Sequence, residues 1–352
     1  MVLKDNAFSV LHVGPVFEDR PSGPSFSILG LAKGIVENGA RVALLPSEPP
    51  GIDKRAVPDN IALLPSPNKR QINPWKMSAN WIRIIRNNFG DPCIVNFHDT
   101  YIPFHTALAG LCRKAGWPYV LTPRGGFTRL AQRIKSVKKT AGNALFINRF
   151  VRYANGIHAL TENEAEDIRR LFPDSRVIVV PNGVDVDLFS LAVSFKNTSE
   201  KPDEQGHHSV KLGFVGRLDV YHKGLDLLLE AIKNIQNRHQ KDSFHLLLVG
   251  PYYRKKDQVQ IEKMVEDLPA PENITITGAV YGQRKWELLS SCDVFVHTSR
   301  FEGMPMAVLE AMAFGKPCMV TPGSNVQHIV SASRGGWLCE ANIESITDTL
   351  LD

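Results

Sequence analysis

Ser299-Arg-Phe-Glu-Gly-Met-Pro-Met-Ala-Val-Leu-Glu-Ala-Met-Ala-Phe-Gly-Lys-Pro317 follows a short apolar run, Asp293-Val-Phe-Val-His-Thr298. The apolar run reads as a buried parallel strand. Pro305 stands where a helix opens, a place that tolerates its missing N–H. The helix is predicted to run to Phe314 and to stop at Gly315, with Pro317 just beyond. Strand, tight loop and helix together make half of a doubly wound unit. The amides of Gly303 and Met304, at the helix start beside Pro305, lie where partial positive charge attracts phosphate. Glu302 sits at the strand's C-terminal end, where open α/β sheets bind ligands. Glu310 lies eight positions on, read as two helical turns in, where a carboxylate accepts hydrogen bonds from a sugar diol. Amide donors for phosphate and two acids for hydroxyls point to a sugar nucleotide; a solvated amphipathic helix is the alternative.

The second half of the chain is built the same way. Val210–Gly216 is a predicted strand, and Arg217-Leu-Asp-Val-Tyr-His-Lys-Gly224 a loop opening a helix from Leu225 to His239. Arg217 and Lys223, around one turn, can converge on one diphosphate; two surface cations are the plainer reading. Strands at Phe244–Gly250 and Asn273–Gly278 complete a parallel sheet, and Thr321–Asn325 after the last central strand is a candidate backbone contact.

The first half alternates as well. Val10–Val13, a helix from Ser25 to Asn38 and a strand Arg41–Leu45 form a βαβ opening. The loop Arg20-Pro-Ser-Gly-Pro-Ser25 is not G-x-G-x-x-G, so the nicotinamide-cofactor fingerprint is absent. Residues 49–75, rich in Pro and Asn, are expected to be irregular. Cys93–Phe97 is a strand ending in His98, which places that histidine at the ligand edge of the sheet, with His105 as competitor and a packing role as the alternative. Tyr119–Thr122 runs into Pro-Arg-Gly-Gly126, where Arg124, beside Gly125, is set to meet a charged acceptor. Residues 129–152 hold seven basic and no acidic residues, with apolar residues at helical spacing. Such a helix fits an anionic membrane surface or a phosphorylated acceptor, or simply keeps a solvated basic face. No aromatic–basic platform accompanies the charge, which argues against nucleic acid. Thr161-Glu-Asn-Glu164 resembles a capping box. Asp185 and Asp187 form a D-x-D, rejected as a metal site because no further carboxylate or histidine cluster joins it. Polar residues from Ser194 to Ser209 read as the linker.

Bulk properties agree. The 352 residues predict two domains, and 43% hydrophobic content supports sizeable cores. No apolar run approaches a membrane span, and Ala7–Gly14 reads as a strand rather than a signal peptide. Five scattered cysteines without a C-x-x-C pair suit reduced core thiols in cytoplasm. Lys and Arg outnumber Asp and Glu by 24 to 16 in residues 1–190, against 17 to 20 in 191–352, so the first half is the part expected to meet an anion.

Glu302 and Glu310, in their Glu-Gly-Met-Pro and Glu-Ala-Met-Ala-Phe-Gly-Lys-Pro setting, resemble the E-x7-E motif of the retaining GT-B glycosyltransferases of family GT4. Gly216-Arg-Leu with Lys223-Gly224 is similar to that family's G-R-L-x(n)-K-G pattern, and Val180-Pro-Asn-Gly-Val-Asp185 to its P-N-G-V-D segment. The resemblance extends over nearly the whole chain. It implies two Rossmann-like domains facing each other across a cleft: 1–190 for the acceptor, a linker at 191–209, and 210–352 for the nucleotide sugar. A final crossover helix, usual in relatives, is expected to be lacking. It further implies that Arg217 and Lys223 hold the donor diphosphate, Glu302 sugar hydroxyls and Glu310 the ribose, while His98 contacts the donor sugar. Gly23 corresponds to a glycine of the family's G-G-P-S-R-S loop, with Ser22 replacing its neighbour, and Gly278 and Val280 lie where relatives approach the base. The function implied is metal-independent transfer, without a cofactor, from a nucleotide-diphosphate sugar to a glycan or lipid-linked acceptor in surface polysaccharide or lipopolysaccharide biosynthesis. Location would be cytoplasmic or peripheral on the inner membrane face. A GT-B epimerase or hydrolase, and a silent sugar-nucleotide-binding subunit, are the competing readings.

Overall fold

Strands form where β-branched and leucine residues run uninterrupted, because sheets covered on both faces bury every side chain. A computed structural model describes residues 8–16, 23–48, 57–67, 78–134, 136–196, 209–238 and 244–352. The chain divides into two compact units, Met1–Gly183 and Val184–Asp352.

The first unit has seven parallel strands: β1 (Ser9–Gly14), β2 (Arg41–Pro46), β3 (Ile61–Leu63), β4 (Ile94–His98), β5 (Tyr119–Thr122), β6 (Gly156–Ala159) and β7 (Val177–Val179), in the order β3-β2-β1-β4-β5-β6-β7. Strand order reverses between β1 and β4, which pair with Val10 opposite Ile94. Phe97, Phe104, Phe127, Leu11 and Leu121 fill the core without exposure. The expectation of irregular structure across 49–75 is corrected within the described residues, since β3 pairs with β2 through Ile61 opposite Val42. Only three residues long, β3 lies between Pro58 and Pro65, and prolines are tolerated at a sheet edge. The rest of that stretch, 49–56 and 68–75, lies outside the described residues.

The second unit has six parallel strands: β8 (Val210–Val215), β9 (Phe244–Val249), β10 (Ile274–Gly278), β11 (Val294–His297), β12 (Cys318–Val320) and β13 (Gly336–Leu338), in the order β10-β9-β8-β11-β12-β13. Its core joins Leu212, Phe214, Leu246 and Leu248 to Leu228 and Ile232 of the helix Leu225–Asn237, with Ile346 of the helix Ile343–Leu351. Here the order reverses between β8 and β11. The linker expected from residue 191 is instead, at its start, a helix, Asp187–Lys196. Its Phe195 ring lies 6.2 Å from that of Phe314, and it belongs to the second unit by contact. Leu188, Leu191, Ala192 and Phe195 supply helical spacing that the polar residues after them hide. Asp185 serves this helix's start, its carboxylate accepting the Asp187 N–H at 3.1 Å.

Candidate functional site

In doubly wound sheets ligands gather at the carboxyl ends of the strands where the order reverses. In the second unit that point lies between β8, which runs into Gly216-Arg217, and β11, which runs into Thr298–Glu302. Gly224 brings the two loops together. It is left-handed (φ 64°), and a Cβ there would stand 2.1 Å from the Thr298 carbonyl oxygen. Thr298 Oγ1 donates to the carbonyls of Lys223 (3.1 Å) and Gly224 (3.2 Å), and the Arg300 N–H donates to that of His222 (2.9 Å). Arg300 also grips Asp226 with two bonds of 2.7 Å. This stitching sets the Lys223 ammonium directly on the Glu302 carboxylate.

Ser299 Oγ donates to Glu302 Oε1 at 3.1 Å, while His297 Nε2 and His222 Nε2 stand 3.6 and 3.7 Å from it. Burial alone would raise the Glu302 carboxyl, but the Lys223 ammonium and the two imidazoles outweigh it and hold the group well below the usual carboxylate range. Burial is the largest influence on His222 and His297 and lowers both, against the pull of the Glu302 carboxylate. Arg217 joins through His222, its NH2 standing 3.4 Å from Nδ1. The Arg217 guanidinium stacks 4.0 Å from the Tyr253 ring, which Arg254 also approaches at 4.2 Å. Asn325, in left-handed backbone, donates from Nδ2 to the Glu302 carbonyl at 2.6 Å, which ties the loop Thr321–Asn325 to the Glu302 loop through a side chain.

Glu310 stands apart from this cluster. Pro305 remains extended as the N-cap and the helix is Met306–Ala313, so Glu310 is the fifth helical residue, little more than one turn in rather than two. It pairs with Lys285 Nζ at 2.6 Å, both side chains being buried. Burial pushes the Glu310 carboxyl up and Lys285 pulls it partly back. Gly303, Met304 and Pro305 are buried ahead of the helix. Gly278 accepts the Gly250 N–H at 2.8 Å, and Val280 is half-buried beside Val249 and Cys292.

The first unit carries its own polar cluster at the β1–β4 reversal. His98 is fully buried, its Nε2 2.8 Å from His12 Nδ1 and its Nδ1 3.0 Å from Arg124 NH2. A guanidinium only donates, so His98 Nδ1 accepts and its Nε2–H donates to His12. Both ring nitrogens of His98 are therefore engaged inside the unit. Burial, reinforced by Arg124, keeps His98 well below its usual value and His12 at about 3. Gly14 makes room, since a Cβ there would meet His98 Cβ at 2.9 Å. Arg124 also donates to Ser27 Oγ, and burial lowers it to about 10. The Gly125 amide is taken by Glu164, which also accepts the Leu160 N–H at 2.8 Å. Glu164 thus closes only half the expected capping box: Thr161 Oγ1 accepts the Glu164 N–H at 3.1 Å, but the carboxylate serves the Arg124 loop. Gly23 is the exposed first residue of the helix Gly23–Glu37, and the loop 17–22 before it lies outside the described residues.

Two parallel sheets, each with its polar cluster at the strand-order reversal, define a two-domain α/β chain of the GT-B class. The family description "Glycosyltransferase Family 4" matches residues 21–188, and "Glycosyl transferases group 1" matches 196–352. The chain belongs to the family 4 glycosyltransferases. Over 245 residues it is 29% identical to the UDP-Gal:alpha-D-GlcNAc-diphosphoundecaprenol alpha-1,3-galactosyltransferase of Escherichia coli, covering 68% of this chain and 61% of that protein. It is 26% identical, over 48% of its own length and 40% of the other's, to the putative colanic acid biosynthesis glycosyltransferase WcaL of E. coli K12. The chain thus matches less than two thirds of either relative. Among solved structures, Anabaena HepE in complex with UDP and glucose superposes with TM-score 0.72 at 14% identity, over 97% of this chain and 89% of that one. The trehalose-phosphate synthase of Burkholderia xenovorans gives 0.75 at 11% identity, over 98% and 91%.

Proposed function

We propose that this protein transfers a sugar, with retention of anomeric configuration and without a metal ion, from a nucleotide-diphosphate sugar to a glycan or lipid-linked acceptor of surface polysaccharide assembly. The observation that carries this reading is the Lys223–Glu302 pair at the β8–β11 reversal, with Arg217 one imidazole away. A donor diphosphate competes with Glu302 for the Lys223 ammonium. Once released, the Glu302 carboxylate is free to accept hydrogen bonds from sugar hydroxyls. The anomeric C–O bond to the diphosphate breaks and the acceptor oxygen bonds to the same carbon, its proton leaving on a diphosphate oxygen. Arg217 and Lys223 neutralise charge developing on the departing group, as preorganised donors do in a site shielded from water. Glu310, kept in place by Lys285, takes the ribose diol. In the first unit we assign Arg124 to a charged group of the acceptor and His98 to positioning Arg124, because both nitrogens of that imidazole are already engaged.

The E. coli relative is named for a UDP-Gal donor and HepE was solved with UDP, so uridine donors are the first to test. Incubation with UDP-, GDP- and ADP-sugars, with and without glycan acceptors, is expected to give acceptor-dependent donor consumption. The product's anomeric proton coupling should match that of the donor. Lys223→Ala should lower turnover about 100- to 1000-fold, the range for losing one preorganised donor. Acceptor-independent release of free sugar, an epimerised nucleotide sugar, or near-wild-type turnover in the variant would contradict the reading.

A further inference from the structure

The basic stretch 129–152 is a broken helix rather than one continuous one. Arg129–Arg133 is followed by Ser136–Gly142, a π-helical turn at Asn143–Ile147, and Asn148–Arg152. Val137, Ala141 and Leu145 follow one another at i, i+4 and i+8, the spacing of neighbours along one side of a helix, and all three are exposed. Val137 is 82% and Leu145 69% exposed. On the opposite side Ile147, Phe150 and Val151 are buried, Phe150 lying 5.4 Å from Phe97. The helix is thus anchored by one apolar face while presenting a second to solvent.

Charge surrounds that second face unevenly. Lys135 lies outside the described residues, Arg129 is paired with Asp167 at 3.3 Å, and Lys139 turns inward to the Ala131 carbonyl. Arg133, Lys138, Arg149 and Arg152 remain exposed and make no ion pair with a described residue, and no acidic residue occurs between 129 and 152. Arg149 and Arg152 are exposed on the helix Asn148–Arg152 that directly follows the π-turn holding Leu145. Exposed aliphatic side chains flanked by unpaired cations match one surface chemistry: anionic headgroups above acyl chains. A polyanion such as RNA would use the cations but gain nothing from Val137 and Leu145.

We propose that the Val137–Ala141–Leu145 ridge, with Lys138, Arg149 and Arg152, docks the first unit on an anionic lipid bilayer. This deepens the proposed function, on which it rests for its purpose, by bringing a lipid-linked acceptor to the enzyme. No helix among the described residues is long and apolar enough to cross a membrane, so the contact is a surface one.

The test uses the whole chain and sedimentation with vesicles of phosphatidylcholine alone or mixed with phosphatidylglycerol. Wild-type protein is expected to partition at least tenfold more strongly to the mixed vesicles, and to be released by high salt. The double variant V137D/L145D, altered only at exposed positions, should bind mixed vesicles at least tenfold more weakly. Lys138→Ala and Arg149→Ala should each cost about fivefold. Calorimetric affinity for the donor nucleotide and the thermal midpoint should stay at wild-type values in all variants. No vesicle binding by wild type, or undiminished binding by V137D/L145D, overturns the proposal. So does RNA binding that is tighter than vesicle binding and insensitive to V137D/L145D. Donor affinity, measured in the same samples, separates failure of this surface from failure of the transferase reading.

Discussion

Glu302 is a partly buried acid kept ionised by its neighbours, whereas His12, His98 and His105 of the first unit are buried bases kept neutral, and the two respond to pH in different windows. Its pKa is depressed when folded, so Glu302 contributes stability that is present above the ordinary carboxylate pKa and lost only as pH falls through the lower folded value. His12 and His105 are lowered by burial to about 3 from an ordinary 6.5. Between these values the unfolded chain binds protons that the folded chain does not. Their contribution is therefore full above pH 6.5 and declines steadily as pH falls toward 3. His105 packs 5.5 Å from the Phe97 ring, away from the Arg124 cluster's hydrogen bonds, and His105→Phe removes one of these protonations. Unfolding free energies from urea titrations between pH 7 and 4 should fall less steeply in H105F, by up to about 1.4 kcal/mol per pH unit, one proton's worth. Parallel pH profiles for the variant and wild type would show that this histidine does not titrate as described.

Among the elements, the turn Arg217–Gly224 depends most on one backbone conformation. Gly224→Ala adds a Cβ to left-handed backbone and drives it into the Thr298 carbonyl. The loop must shift, which should cost about 1–3 kcal/mol in chemical denaturation and move Lys223 off Glu302. A stability and donor affinity equal to wild type would mean that the close approach does not set the site. This element was readable from its residue types, because Gly216-Arg-Leu and Lys223-Gly224 flank a strand end and a helix start. What could not be read was Glu302's company. His297 occupies an ordinary strand position and His222 an unremarked place between two cations; only folding β11 beside β8 brings both rings to one carboxylate. Lys285 lies 25 residues before Glu310, and nothing in local spacing links them. The helix Asp187–Lys196 and the edge strand β3 were missed for a related reason: short elements take their stability from tertiary packing, which local pattern does not carry.

Across the molecule, the alternation of strands and helices was legible in both halves, because parallel sheets demand continuous apolar strands. The reversal of strand order was not, since it depends on which strand pairs with β1 and with β8. Each unit has its own core and its own polar cluster, so the donor should leave a footprint confined to one of them. Hydrogen exchange with saturating donor nucleotide is expected to slow at residues 216–224 and 297–325, while the cores of β1 and β4 keep their free-state rates. Equal protection in both sheets would argue against the division of labour proposed for the units.

In the proposed reaction Lys223 reads the diphosphate and Glu302 the sugar attached to it. Calorimetric titration of the nucleoside diphosphate and of the matching nucleotide sugar, into wild type, Lys223→Ala and Glu302→Gln, tests this directly. Lys223→Ala should weaken both ligands tenfold or more, whereas Glu302→Gln should weaken the nucleotide sugar and leave the nucleoside diphosphate within a factor of two or so. Unchanged affinity in Lys223→Ala, or equal losses for the two ligands in Glu302→Gln, would contradict it.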